Sequence, residues 1–320
     1  VGSGEPRIDF SNDAKGALKL EPQRSNLYAY SEDFSNADWT KSSATVAITS
    51  NVSPDGTTNS VYNLTGTNAN LYTGGTTNIE HTISVYAKSN GQGKDNFKLR
   101  LGNSISSSIT VTDEWVRYEF TGTPTTNVFG LTVDGSPNNE WDILIWGAQL
   151  EQGSYATSYI PTQGSAVTRS ADVCNNGGNE QVINSTEGVL YAEISALTED
   201  SGDSRRLTIS DGTTNNRVSF ELDETEGLIK LFFTGNGSLN QLTTTIDVSA
   251  DFKIAASYNS SSLKLYVNGI KEGEDTSITL PIGLDNLSFD SGTGSSDFYG
   301  NVKDVRVYNT ALTDQELINL

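Results

Sequence analysis

Alternation is the feature that most narrows what this chain can fold into. In ISVYAK, Ile83, Val85 and Ala87 fall on one face and Ser84, Tyr86 and Lys88 on the other. FKLRL sets Phe97, Leu99 and Leu101 against Lys98 and Arg100, and WVRYEF sets Val116, Tyr118 and Phe120 against Arg117 and Glu119. SLKLYVNG sets Leu263, Leu265 and Val267 against Lys264 and Tyr266. A two-residue period belongs to an antiparallel strand with one face buried and one wet. Turn chemistry separates the runs at Pro54-Asp55-Gly56, Asp134-Gly135-Ser136 and Asn268-Gly269, the last with the composition of a tight hairpin. No segment sustains a helical period. Only at the end does Thr313-Asp314-Gln315-Glu316, arranged as a capping box, start a short C-terminal helix.

The run of strands breaks once, between Trp141 and Val173. Ile143, Leu144, Ile145 and Trp146 are apolar on both faces, as a strand covered on both sides requires. Gly, Ser, Thr and Pro then take over, which is connector composition. The expected architecture is all-β: two antiparallel β-sandwiches of jelly-roll type in tandem, at residues 26–160 and 178–320, with a linker at 161–177. Residues 1–25 carry two short runs, PRIDF and ALKLEPQR, around Ser11-Asn12-Asp13. They read as a hairpin whose prolines, Pro6 and Pro22, suit an edge, and the hairpin is expected as an arm packed on the first domain. A length of 320 residues allows two such cores.

Charge and rare residues exclude several functions. Twenty Lys and Arg face 40 Asp and Glu, a net charge of −20 that repels phosphate backbones and anionic lipid, so neither nucleic acid nor membrane is an expected partner. No apolar run approaches the ~18 residues of a membrane span. The chain begins at Val1 and contains no Met, as expected of a piece of something longer. The single cysteine, Cys174, rules out an intramolecular disulfide and a cysteine zinc site. The single histidine, His81, opens a strand, where a structural role is expected.

The stretch WGAQLE…ATSYIPT…AVTR, carried by Trp146 to Glu151, Ser158 to Thr162 and Ala166 to Arg169, resembles the close of a β-sandwich module in many tailed-bacteriophage structural and fibre-like proteins. PRIDF…GALKLEPQRSNL resembles the lead-in to the same modules. NLYAYSEDFSNADW, with ISVYAKS, WVRYEFT and ILIWGAQL, resembles carbohydrate-binding-module jelly rolls of the kind attached to xylanases and laminarinases. Such modules commonly hold calcium, but the corresponding places are Ser35 and Trp146, with Glu32, Asp33 and Asp38 nearby as substitutes. FKIAASYN…LKLYVNG…DFYGNVKDVRVYNTALTDQEL resembles laminin-G/concanavalin A-like domains over nearly the whole second half.

Candidate chemistry follows from these readings. Glu221, Asp223 and Glu226 match the E-x-D-x-x-E spacing of laminarinase-type hydrolases, in which alternation aims two carboxylates into one cleft. Asp223 to Gly227 is also the natural polar turn between FELD and LIKLFF, which would leave the acids at a solvated tip, and that reading is preferred. The second half has no Trp to stack a sugar and no His for a lyase. Glycan binding needs aromatic faces beside polar groups, and Tyr86, Lys98, Arg100, Trp115, Arg117 and Trp141 are the candidates in the first domain. Asp200, Asp203, Asp211 and Asp297 are the loop acids that would take calcium, an optional ion rather than a required cofactor.

The sequence therefore leads to the expectation of a non-catalytic bacteriophage virion protein, exposed on the particle and binding host cell-surface glycans. The N-terminal arm is expected to contact other virion proteins, and self-association is left open. Two alternatives stand beside it. One is an architectural or decoration virion protein with no sugar ligand; the other is a carbohydrate-binding appendage of a secreted polysaccharide-degrading enzyme.

Overall fold

The computed structural model describes residues 5–10, 14–133, 140–197, 204–223 and 227–320. The Ser11–Asp13 and Asp134–Ser136 turns, Asp200, Asp203 and Glu226 lie outside the described residues. The chain opens with β1 (Ile8–Asp9) and β2 (Ala17–Leu20), then β3 (Arg24–Asn26), β4 (Thr40–Ile48), β5 (Tyr62–Thr73) and β6 (His81–Ser89). Next come β7 (Asn96–Leu101), β8 (Ser104–Ile105), β9 (Ile109–Thr110), β10 (Val116–Gly122), β11 (Phe129–Thr132), β12 (Glu140–Gln152) and β13 (Val167–Arg169). The remainder comprises β14 (Gly188–Ala196), β15 (Arg205–Ser210), β16 (Arg217–Asp223), β17 (Leu228–Gly235), β18 (Ser238–Thr245) and β19 (Phe252–Tyr258). It closes with β20 (Leu263–Val267), β21 (Ile270–Asp275), β22 (Asn286–Ser288), β23 (Gly300–Tyr308) and α1 (Asp314–Ile318).

Two compact units result, Gln23–Ser170 and a second made of Val1–Pro22 with Ala171–Leu320. The first is a sheet folded back on itself, ordered β10-β6-β12-β5-β11-β7-β8, with β4 on β5 and β9 on β7. The fold-back runs along β5, which pairs with β12 through Tyr62–Thr67 and with β11 through Asn70–Thr73. β7 then faces β10, where the Phe97 and Tyr118 rings meet edge-on at 5.8 Å. Ile83, Val85 and Ala87 of β6 and Phe97, Leu99 and Leu101 of β7 are fully buried between the layers, as their alternation demands. Val116 departs from this pattern: at the start of β10 it is 38% exposed, while Tyr118 and Phe120 pack on the core. His81 is buried, with Nδ1 2.8 Å from Ile79 O and its ring against Phe129, a structural role.

In the second unit, β1-β2-β23-β14-β19-β20-β21 forms one layer and β18-β17-β16-β15-β22 the other. Leu190, Ala192, Ile254 and Ala256 of the first layer meet Val218, Phe220, Leu222 and Leu231 of the second in the core. α1 has its capping box, Thr313 with Glu316, and lays Leu317 on Tyr191, Ala255 and Tyr266. Asn268 and Gly269 have φ of 50° and 76°, the two positive values that their hairpin turn needs.

The N-terminal hairpin is present, with β1 at an edge. Its expected seat on the first sandwich is corrected, since β2 pairs with β23, Leu18 opposite Val302 and Leu20 opposite Gly300. Ion pairing completes the attachment: Arg7 bonds both oxygens of Asp172 and approaches the buried Glu21 at 3.4 Å. The second sandwich is thus interrupted in sequence by the first, and Asp172 N donates to Glu21 O (2.9 Å) where the chain leaves and re-enters. Residues 161–177 are not a free linker either. β13 pairs with β3, while Cys174 O accepts from Phe289 N (2.8 Å) and Gly177 N donates to Leu287 O (2.9 Å).

Candidate functional site

β12 carries the side chains that organise one face of the first sandwich. Its register shifts between Trp146 and Gln149, and Gly147 sits in that irregularity with φ 60°. A Cβ at Gly147 would approach the Tyr159 ring at 3.3 Å, so glycine serves both the backbone angle and the contact. Beyond the bulge, Gln149 and Glu151 are buried with their polar ends turned to the segment that follows. Gln149 Oε1 accepts from Ile160 N (2.6 Å), its Nε2 donates to Thr157 O (3.3 Å), and Glu151 Oε2 accepts from Thr157 N (2.9 Å). Arg117 Nη1 donates to Thr157 O (2.6 Å) and Arg169 Nη1 to Ser158 O (3.0 Å). Trp146 and Tyr159 pack with tilted rings, centroids 4.7 Å apart, with Tyr86 beside both. Residues 153–162 are therefore a strap laid over the sheet. The conspicuous motif is the chemistry that holds it down.

The strap corrects the expected glycan groove. Tyr86 and Arg117 do share the outward face, with the guanidinium 5.6 Å from the ring centroid, but they hold the strap. Trp115 is on the same side, its Nε1 donating to Val52 O (2.9 Å) and Lys88 above its ring at 5.7 Å. Lys98 and Arg100 lie on β7, paired across β11, in the other layer of the sandwich, and Arg100 Nε donates to Gly102 O (2.8 Å). Trp141 is 1% exposed and belongs to the core, because position 141 shares its face with Ile143 and Ile145. The six residues form no single site.

A different concavity combines the required groups. A cleft of about 440 Å³ in the first sandwich is lined by Tyr30, Glu32, Asp33, Asn59, Tyr62 and Gln163, among others. Asp33 Oδ1 accepts from Tyr62 OH (2.9 Å) and Ser35 N (3.1 Å). Burial alone would raise the Asp33 pKa, but the hydrogen bonds from Ser35, Tyr62 and Asn36 outweigh it and hold it below the ordinary range. Its neighbour Glu32 moves the other way, pushed up by burial and by the charge of Asp55 against the opposing bond from Tyr159. The two carboxylates thus shift in opposite directions, Asp33 held down by its hydrogen bonds and Glu32 raised by burial. Tyr30 is half-buried: it packs against the core and also lines the cleft.

The two calcium candidates among the described residues, Asp211 and Asp297, are each engaged locally. Asp211 accepts from Thr213 N (2.9 Å) and Asn216 Nδ2 (2.8 Å), closing its own turn, and Asp297 Oδ2 accepts from Tyr299 OH (3.1 Å). Among the described residues no group of three His, Cys, Asp or Glu could hold a metal ion. Glu221 is not at a solvated tip, as the hairpin reading implied. It is buried on β16, with Arg206 on one oxygen and Lys230 on the other at 3.0 Å. Asp223 ends that strand, and Lys230 reaches it at 3.4 Å.

Comparison with known proteins bears on the second sandwich. Residues 196–318 match the laminin G family model described as the concanavalin A-like lectin/glucanases superfamily. The match lies wholly within that unit. No curated protein matches the chain. Among solved structures, a carbohydrate-binding module (CBM40) of a Ruminococcus gnavus sialidase is similar at 17% identity and a TM-score of 0.38, over 46% of this chain and 94% of that one. A pentraxin from Limulus polyphemus is similar at 13% and 0.36, over 45% and 72%. Domain 4 of a Geobacillus stearothermophilus arabinanase, solved with arabinotriose, is similar at 15% and 0.37, over 52% and 80%.

The cleft escaped the sequence reading because its walls come from distant loops. Tyr30 and Gln163 are joined by an isolated bridge, and Asn59 and Tyr62 arrive from the start of β5. NLYAYSED did signal it: tyrosines beside adjacent acids, with no alternation to bury them all.

Proposed function

We propose that the chain is a non-catalytic glycan-binding protein whose first sandwich holds a sugar in the Tyr30–Tyr62 cleft. The observation that carries this reading is the pairing of an aromatic side chain with carboxylate and amide groups in one open cleft of saccharide size. Pyranose rings offer apolar faces to Tyr30, and their hydroxyls can donate to Asp33 and exchange hydrogen bonds with Asn59 and Gln163. The oxygens of Glu221 are taken by Arg206 and Lys230, which weighs against the hydrolase spacing of the second sandwich. The phage-like wording of the strap motif supports display on a virion surface. There, repeated weak sites would gain avidity of ~10²–10⁴. The open edge of β1, with Phe10 62% exposed, is where the arm would meet another virion protein. Calcium, if it contributes, would act at loop acids rather than in the cleft.

A glycan array probed with the chain displayed on beads, with calcium or with chelator, tests this. Binding that Tyr30→Ala abolishes in a chain that still melts cooperatively, at a temperature lowered only by the lost core contact, is the expected result. Absence of binding to every host polysaccharide would leave the architectural reading in its place. Activity released from a polysaccharide would favour the enzyme.

A further inference from the structure

The chain is strongly acidic, yet the face of the β18-β17-β16-β15-β22 layer turned away from the core gathers cations, partly exposed around a buried floor of Thr208, Ser210 and Ser219. Register sets Arg206, Glu221 and Lys230 side by side on β15, β16 and β17, and sets Ser219 opposite Phe232. The Arg206 and Arg217 guanidinium carbons lie 5.2 and 5.7 Å from the centroid of the Phe232 ring. Arg206 and Lys230 are balanced by Glu221 and Asp223. Arg217 is not: among the described residues its side chain has no ion pair, and its one side-chain hydrogen bond is a 3.3 Å donation to Ser291 O. Burial and the neighbouring Arg206 charge both push its pKa down, with Glu221 opposing. The Nε atoms of Arg206 and Arg217 also have no hydrogen-bond partner. Beside Arg217, Gly292 (φ 86°) lets its loop lie against β15, since a Cβ there would come within 2.7 Å of Ser210 Oγ. Ser291 Oγ is bonded to Thr293 and Ser295 in that loop (2.9 and 2.8 Å), a hydroxyl cluster at the edge of the face.

We propose that this face is a second binding site, taking an acidic glycan whose sugar carboxylate docks on Arg217 and Arg206 beside the Phe232 ring. Guanidinium groups bind carboxylates through paired N–H donors, and a ring between them supplies the apolar contact that a sugar face requires. An incoming carboxylate would give Arg217 the direct ion pair that no described residue supplies, adding to the more distant Glu221 charge and offsetting its repulsion with Arg206. The −20 charge of the whole chain works against long polyanions, so short acidic stretches are the favoured ligand. The site lies on a different unit from the Tyr30 cleft and does not depend on it.

The test is titration calorimetry of the full chain with tetragalacturonate, its methyl ester and inorganic sulfate. The acid should bind and the neutral ester should not. Arg217→Gln, which can keep the bond to Ser291 while losing the charge, should weaken binding by roughly tenfold to a hundredfold at an unchanged melting temperature. Tyr30→Ala should leave this binding untouched. Should Arg217→Gln prove unstable, Lys230→Gln provides a second charge removal, with the same direction expected. Equal binding of acid and ester, displacement by sulfate at equal concentration, or full affinity in a folded Arg217→Gln chain would each overturn the proposal.

Discussion

Gly147 shows how much a single position can decide. It holds φ 60° at the β12 bulge and lies under the Tyr159 ring, so Gly147→Ala should cost about 1–3 kcal/mol, read from urea unfolding. Asp33 gives a pH signature. Its pKa is lowered on folding, so its contribution is present above the unfolded value of 3.8 and is lost as pH falls through the folded value. Glu32 is raised, so its contribution is fully present below 4.5 and lost as pH rises through the folded value. Asp33→Asn should therefore destabilise the first sandwich at neutral pH by no more than about 1 kcal/mol, since solvent screens this carboxylate, and by much less in acid, in melting curves across that range. Sequence alternation placed Tyr86 and Arg117 correctly on an outward face. It could not show what covers that face, because residues 153–162 have no period and their hold depends on buried Gln149 and Glu151.

The N-terminal hairpin teaches the same lesson at the level of the element. Its two paired runs were legible, because a hairpin is local. Its partner was not: Leu18 pairs with Val302, a contact across almost the whole chain that no local pattern encodes. Charge contributes to the attachment through Arg7 on Asp172, with the buried Glu21 held beside Arg7 and Lys19 within the arm. Removing one partner of such a group is expensive, so Arg7→Met should lower stability by about 3 kcal/mol. Denaturant unfolding followed by hydrogen exchange at β2 and β23 would report it. Unchanged exchange there would mean that Lys19 and the β2–β23 hydrogen bonds suffice.

Across the whole molecule, the two sandwiches were legible because each is written in repeated alternation. Their chain order was misjudged at the boundary, where residues 161–177 look like a loose connector but are pinned by β13 at one end and by Leu287 and Phe289 at the other. Since Glu21 and Asp172 are main-chain partners, a chain lacking residues 23–170, with a short Gly-Ser bridge, should fold as a cooperative β protein. Circular dichroism and calorimetry would check this; a chain without a melting transition would show that the inserted sandwich is needed for folding. The antiparallel register of β2 and β23 has a mechanical side as well. The N-terminal end of β2 lies beside the C-terminal direction of β23, Leu18 opposite Val302. Tension drawing those two ends apart therefore peels the strands like a zipper, one pair after another, instead of shearing every bond at once. Only after β2 has come away does the pull reach the inserted sandwich, which until then bears no load.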